Sequence, residues 1–139
     1  MTGPSLKQLT AHRQIHDTGL ALAVEMTDDL VMMLRDNDEQ QIVLQVVQLV
    51  EFWESRVISH ADAEEEADGF YSEMAAQSDE LSEKVIMLKR DHQLLRDLVT
   101  KIKSQMEDEG FSKQIIDYFR TLIILNEIHS RDEEKYLLQ

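Results

Sequence analysis

Two stretches of this chain share one pattern: His60-Ala61-Asp62-Ala63-Glu64 and His129-Ser130-Arg131-Asp132-Glu133 each place a glutamate four residues after a histidine. On an α-helix, residues four apart are neighbours on one face, so each stretch projects an imidazole and a carboxylate together, about one turn (~6 Å) apart along the axis. Imidazole nitrogen and carboxylate oxygen are metal ligands, and in this combination they suit iron, manganese or zinc. The chain has no cysteine, which removes Cys-based zinc sites, disulfides and thiol nucleophiles. The other histidines are His12, His16 and His92.

Helices must position these groups. The 139 residues include four Gly and one Pro, too few for the turns of a many-stranded β protein. Leu, Glu, Gln, Met and Ala are plentiful, so the expectation is one all-α domain over residues 1–139. Ser5-Leu6-Lys7-Gln8 has the capping-box pattern and opens a helix that runs to about Leu34, broken by Asp36-Asn37-Asp38. A second helix starts near Asp38 and continues through Glu64, with no Gly or Pro before Gly69. Ala75 to Asp79 reads as a connection, with Ser78 or Asp79 capping a third helix that ends at Gly110. Ser112 can cap a fourth that runs to the C-terminus.

The apolar stripes of these helices contain the histidines. At ~100° per residue, Leu9, His12, Leu20, Ala23 and Leu30 lie within ~40° of His16. Glu64 lies within ~60° of His60, and Glu133 within ~40° of His129, so both face inward; Glu65 and Glu134 fall near ~140° and face outward. Four helices with short connections close most simply as an up-down-up-down antiparallel bundle. That topology brings His16, His60, His92 and His129 to one level, with Glu64 and Glu133 a turn nearer one end. Two buried carboxylates need positive partners. Arg56 and Arg96 are about two turns (~11 Å) away, and Arg13 and Lys89 sit ~60° off their stripe centres. A purely ionic arrangement is weakened but stays open. Two metal ions bridged by the carboxylates supply the charge more simply, with His16, His60, Glu64, His92, His129 and Glu133 as ligands. His12, one turn before His16, is a further candidate.

The net charge of −14, from 14 Lys+Arg against 28 Asp+Glu, argues against nucleic acid and anionic membranes and favours a cation as small partner. An acidic solvated surface would give the same balance. No stretch approaches 18 consecutive apolar residues, and Met1-Thr2-Gly3-Pro4-Ser5 has no signal-peptide character. The expectation is a soluble cytoplasmic protein.

The motifs resemble the hemerythrin-like HHE cation-binding domains. The resemblance covers nearly the whole chain and rests on Ile15-His16-Asp17, Ile58-Ser59-His60-Ala61-Asp62-Ala63-Glu64-Glu65, Asp91-His92-Gln93-Leu94-Leu95 and Ile128-His129-Ser130-Arg131-Asp132-Glu133-Glu134. It implies a four-helix bundle around a non-haem di-iron centre, with the glutamate of each His-x-x-x-Glu bridging the irons. Oxygen-carrying hemerythrins have a His-x-x-x-His on the third helix and a His-x-x-x-x-Asp on the fourth. Here Leu88 and Arg96 flank His92, and position 134 is Glu, which keeps Glu134 as a further candidate ligand. The set is closer to the four-His, two-Glu branch, which resembles proteins of iron-centre repair, nitric oxide response and iron or oxygen sensing. The expected function is therefore a di-iron protein, with iron ahead of manganese or zinc, that binds or senses oxygen or nitric oxide or handles iron. The alternatives are a di-iron enzyme reducing peroxide or nitric oxide, with Tyr71, Tyr118 or Tyr136 as redox residues, an iron donor for repair of iron centres, or a metal-free acidic bundle that binds a partner helix. The motifs assign no catalytic residue and no protein partner.

Overall fold

The computed structural model describes residues 9–138, which are helical apart from short connections and contain no strand. The capping-box stretch Ser5 to Gln8 lies outside the described residues. Helix α1 spans Leu9–Asp36. Asn37 then takes a left-handed φ of 52°, a conformation asparagine tolerates, and Asp38 caps α2 (Glu39–Phe52) by accepting from the Gln40 and Gln41 backbone N–H groups.

The helix expected from Asp38 to Glu64 has the expected extent but is not one uniform α-helix. After α2 the chain passes through a π-helical segment, Trp53–Ile58, before resuming as α3, Ser59–Glu64. The Ser59 N–H donates to the Glu54 carbonyl five residues back, which widens the turn.

A short helix, α4 (Phe70–Ala75), follows where no helix was expected. Its entry depends on Gly69. A Cβ there would stand 2.8 Å from the Ala63 carbonyl oxygen and 2.9 Å from that of Glu64, so only glycine lets the chain fold this closely over the end of α3. Helix α5 (Asp79–Asp108) starts as expected, with Ser78 Oγ accepting from the Leu81 N–H. Past its end, Gly110 at φ 77° directs its N–H to the Gln105 and Met106 carbonyls. Helix α6 (Lys113–Leu137) follows. Ser112 occupies its N-cap position, but the hydroxyl takes a hydrogen bond from Gln105 Nε2 instead of capping the helix.

Helix α1 packs against α2 and α6; α5 packs against α6, α2 and the π-helical segment; α4 lies on α5. The larger apolar core includes Leu30, Leu49, Trp53, Leu95, Ile102, Ile115, Phe119 and Leu122. A smaller cluster of Phe70, Tyr71, Val85, Leu88 and Leu137 surrounds α4. Each such buried side chain stabilises by about 1.5–3 kcal/mol relative to exposure. His92 stands between Leu88 of the small cluster and Leu95 of the large one, and His129 between Leu137 and Leu122 in the same way. The polar groups are therefore held between two apolar layers. Among the described residues, no helix is long and apolar enough to cross a membrane.

Candidate metal centre

Four helices deliver ligand-type side chains to one buried place: His12 from α1, His60 and Glu64 from α3, His92 from α5, and His129 and Glu133 from α6. They form two groups, His12, His60, Glu64 and Glu133 in one, Glu64, His92, His129 and Glu133 in the other, and within each group one ligand atom per residue lies within 4.8 Å of the rest. The two carboxylates belong to both groups. Either group could hold a metal ion.

Of the residues expected from the sequence, His60, Glu64, His92, His129 and Glu133 are brought together, and His16 is not. Its place on α1 is taken by His12, one turn earlier. The reason is the register between α1 and α6: His12 meets Glu133 and Glu134, while His16 meets Glu127 at 2.6 Å and Ser130 at 2.7 Å. Both histidines are on the buried stripe, His16 nearer its centre, so angular position does not select the one that meets Glu133.

The outward glutamates also differ from expectation. Glu134 is buried, accepting from His12 Nδ1 at 3.0 Å, from Arg13 Nε at 3.0 Å and pairing with Arg131 at 3.1 Å. Glu65 is partly buried and accepts from His92 Nδ1 at 2.6 Å and from Arg96 at 2.8 Å. Asp91 accepts from His129 Nδ1 at 2.9 Å. Three of the four imidazoles are thus gripped from outside through Nδ1 by a carboxylate. A ring nitrogen facing a carboxylate must carry its proton there, which fixes the ring's orientation and leaves Nε2 facing inward. The arginines end on these outer carboxylates, and among the described residues no Arg or Lys pairs with Glu64 or Glu133.

The inner groups leave polar atoms unsatisfied in a way that a cation fits. Glu64 is 1% exposed, yet its Oε2 has no hydrogen-bond partner among the described residues, and the His60 Nε2 paired with it stands 3.6 Å away. His92 Nε2 and His129 Nε2 are 3.1 Å apart. With both Nδ1 atoms donating outward, two neutral rings would oppose lone pairs at that distance, so a proton or a metal ion must lie between them.

Protons take that role in the metal-free chain. Burial pulls the His129 imidazole down, but Asp91 and Glu133 more than offset it and push its pKa up to about 10. His12 follows the same logic: burial lowers it, and its bonds to Glu133 and Glu134 raise it above the ordinary imidazole value. His60 is also raised, the Glu64 carboxylate outweighing burial. Glu133 moves the other way; burial favours its neutral form, but His12 and His129 hold it well below the usual carboxylate range.

Tyr71 was named from the sequence only as one of three tyrosines near the bundle, and α4 puts its hydroxyl against the second group. It donates a short hydrogen bond to Glu133 Oε2 and lies 3.3 Å from His92 Nε2 and 3.5 Å from His129 Nε2. Its ring stacks on His92 with centroids 5.2 Å apart. Burial, then the Glu133 and Glu64 charges, push the phenol pKa upward, so the hydroxyl keeps its proton. Tyr118 and Tyr136 belong to the edges of the two apolar clusters. The missed signal for Tyr71 was Asp68-Gly69, a turn pair that ends one helix and permits another close by.

Comparison of the chain with family models, with curated proteins and with solved structures gave no match.

Proposed function

We propose that the chain is a hemerythrin-like protein whose up-down-up-down four-helix bundle holds two iron ions. His12 and His60 would hold one and His92 and His129 the other, with Glu64 and Glu133 serving both. The carrying observation is that both four-residue groups contain the same two buried carboxylates. The contact series support the bundle. Residue numbers rise on one helix as they fall on its neighbour: His12 to Glu133 then His16 to Glu127 for α1 and α6, and His92 to Glu65, Arg96 to Asp62 and Lys103 to Glu54 along α5. The α1 contact with α2 runs the same way, from the His12 and His60 rings to Gln45 bonding the Met26 carbonyl.

An all-nitrogen and oxygen donor set suits iron, with manganese or zinc as competitors. When bound, such a pair supplies redox and Lewis-acid chemistry toward small molecules. The chain's own residues orient the ligands through Glu134, Glu65 and Asp91, between the two apolar layers. On this reading Glu134 positions His12 and is not itself a ligand. The function that follows is binding or sensing of a diatomic molecule, oxygen or nitric oxide, or the handling of iron.

The Tyr71 hydroxyl, a hydrogen-bond donor to Glu133, favours a second reading: an enzyme that reduces peroxide or nitric oxide, in which Tyr71 would hold Glu133 in place. Elemental analysis and a visible spectrum of freshly purified protein test the metal pair; two irons per chain with an oxo-bridged spectrum are expected, and one ion or none defeats it. Single-turnover mixing of reduced protein with oxygen, nitric oxide or peroxide separates the two functions. Reversible spectra mean binding, and released product means catalysis.

A further inference from the structure

A cavity of about 100 Å³ lies against the six ligand-type residues, walled by α1, the π-helical segment, α3, α5 and α6. That is several times the roughly 10–15 Å³ one water needs. Tyr71 is not part of its wall. Two features of that wall are not accounted for by packing alone.

The first is Trp53, which opens the π-helical segment. It is 1% exposed, and its Nε1–H has no hydrogen-bond acceptor among the described residues. Leaving a buried donor unsatisfied is costly, and such groups are rare in folded proteins. Trp53 and Val57, both in the π-helical segment, line the cavity, and π-helical turns are frequent at functional sites.

The second is Gly19, in the interior of α1. A glycine in a helix interior is destabilising relative to alanine. Its φ is not positive, and an added Cβ would meet nothing within 4 Å, so neither backbone conformation nor packing requires it. It lines the cavity together with exposed Ile15, half-buried Leu20 and Arg56. A side chain at 19 would project into open space beside these residues.

We infer that this cavity receives the exogenous ligand of the centre, a molecule of two or three atoms with a hydrogen-bond-accepting end, and that Trp53 Nε1–H is its donor and the gap at Gly19 its entrance. The inference rests on the proposed metal pair. An indole is a donor only, so it selects for ligands that accept a hydrogen bond once bound and gives nothing to those that do not. Being neutral, it adds no charge beside Glu64 and Glu133.

Azide is a probe of the right size and chemistry. Oxidised, metal-loaded protein is titrated with azide by visible absorbance, alongside Trp53→Phe and Gly19→Leu, with metal content measured in each. The expected result is two ions in all three proteins, azide binding weakened on the order of tenfold in Trp53→Phe, and the infrared stretch of bound azide shifted in that variant, as loss of one hydrogen bond requires. Gly19→Leu should slow azide entry at least several-fold while leaving the bound stretch where it is. Unchanged affinity and stretch in Trp53→Phe would overturn the donor role, and unchanged entry in Gly19→Leu the entrance. Wild-type protein that holds two ions and takes no azide overturns the inference while the metal pair stands. Wild-type protein without two ions overturns both.

Discussion

The two halves of the centre are built differently. In the His92 and His129 half, both rings are almost fully buried, both Nδ1 atoms are held by carboxylates, and Tyr71 stacks over one ring while donating to Glu133. In the His12 and His60 half, only His12 is gripped from outside. The His60 side chain is 34% exposed and makes no hydrogen bond to any described residue, and the ring centroids stand 6.5 Å apart against 4.6 Å in the other half. One half is a closed, preorganised pair, and the other is loosely held with one edge toward solvent. Metal sites that react or bind keep a coordination position free, so on the proposed reading the first half would retain its ion and the second would exchange.

The largest effect that sharpens this contrast comes from the shared carboxylates. Glu133→Gln is expected to lose the pair altogether, because it removes a charged ligand from both groups. His60→Ala, confined to the looser half, should retain one ion. Elemental analysis of both variants decides it, and a His60→Ala protein with no metal would show that the halves are not separable.

Next in size are the two histidines of α1. His12→Ala is expected to lose one ion of the two, while His16→Ala keeps both, since His16 is engaged by Glu127 and Ser130. Loss of metal from His16→Ala with His12→Ala intact would reverse the register of α1 found here.

The smallest expected effect is on the pH dependence of the metal-free protein. The folded pKa values of His12, His60 and His129 are raised above 6.5, so their contribution to stability is complete below that pH and disappears as pH climbs, toward about 10 for His129. The folded pKa of Glu133 is depressed, so its contribution is present above 4.5 and is lost as pH falls through the lower folded value. Thermal melts of chelator-stripped protein should therefore peak between those limits and drop by several degrees toward pH 10. Bound ions replace the protons, so the alkaline loss should be smaller in metal-loaded protein. Parallel alkaline curves with and without metal would mean that the raised histidines are not at the ion sites.

Much of this was legible before any coordinates. The 3.6-residue period placed His60 with Glu64 and His129 with Glu133 on inward faces, because that relation is local to one helix and survives any packing. Ser78, Asp38 and Gly110 marked helix ends through interactions spanning a few residues. What was not legible was relational. Rotation of ~100° per residue turns Glu65 and Glu134 outward, yet between packed helices the outward side of one meets the flank of the next, where Glu65 meets His92 and Arg96 and Glu134 meets His12 and Arg13. The stripe centres nearer His16, with His12 ~40° off it, and a shift of one turn between α1 and α6 sets His12 beside Glu133 instead. The π-helical segment broke the constant period on which any extrapolation from α2 to His60 depends, and α4, too short for a periodic signal, carried Tyr71 to the centre. The sequence by itself determined an all-helical chain with buried imidazoles and carboxylates, because those follow from periodicity along one helix. Only tertiary structure decided which of them meet, because register between helices depends on the summed packing of whole faces and on where backbones such as that at Gly69 can approach.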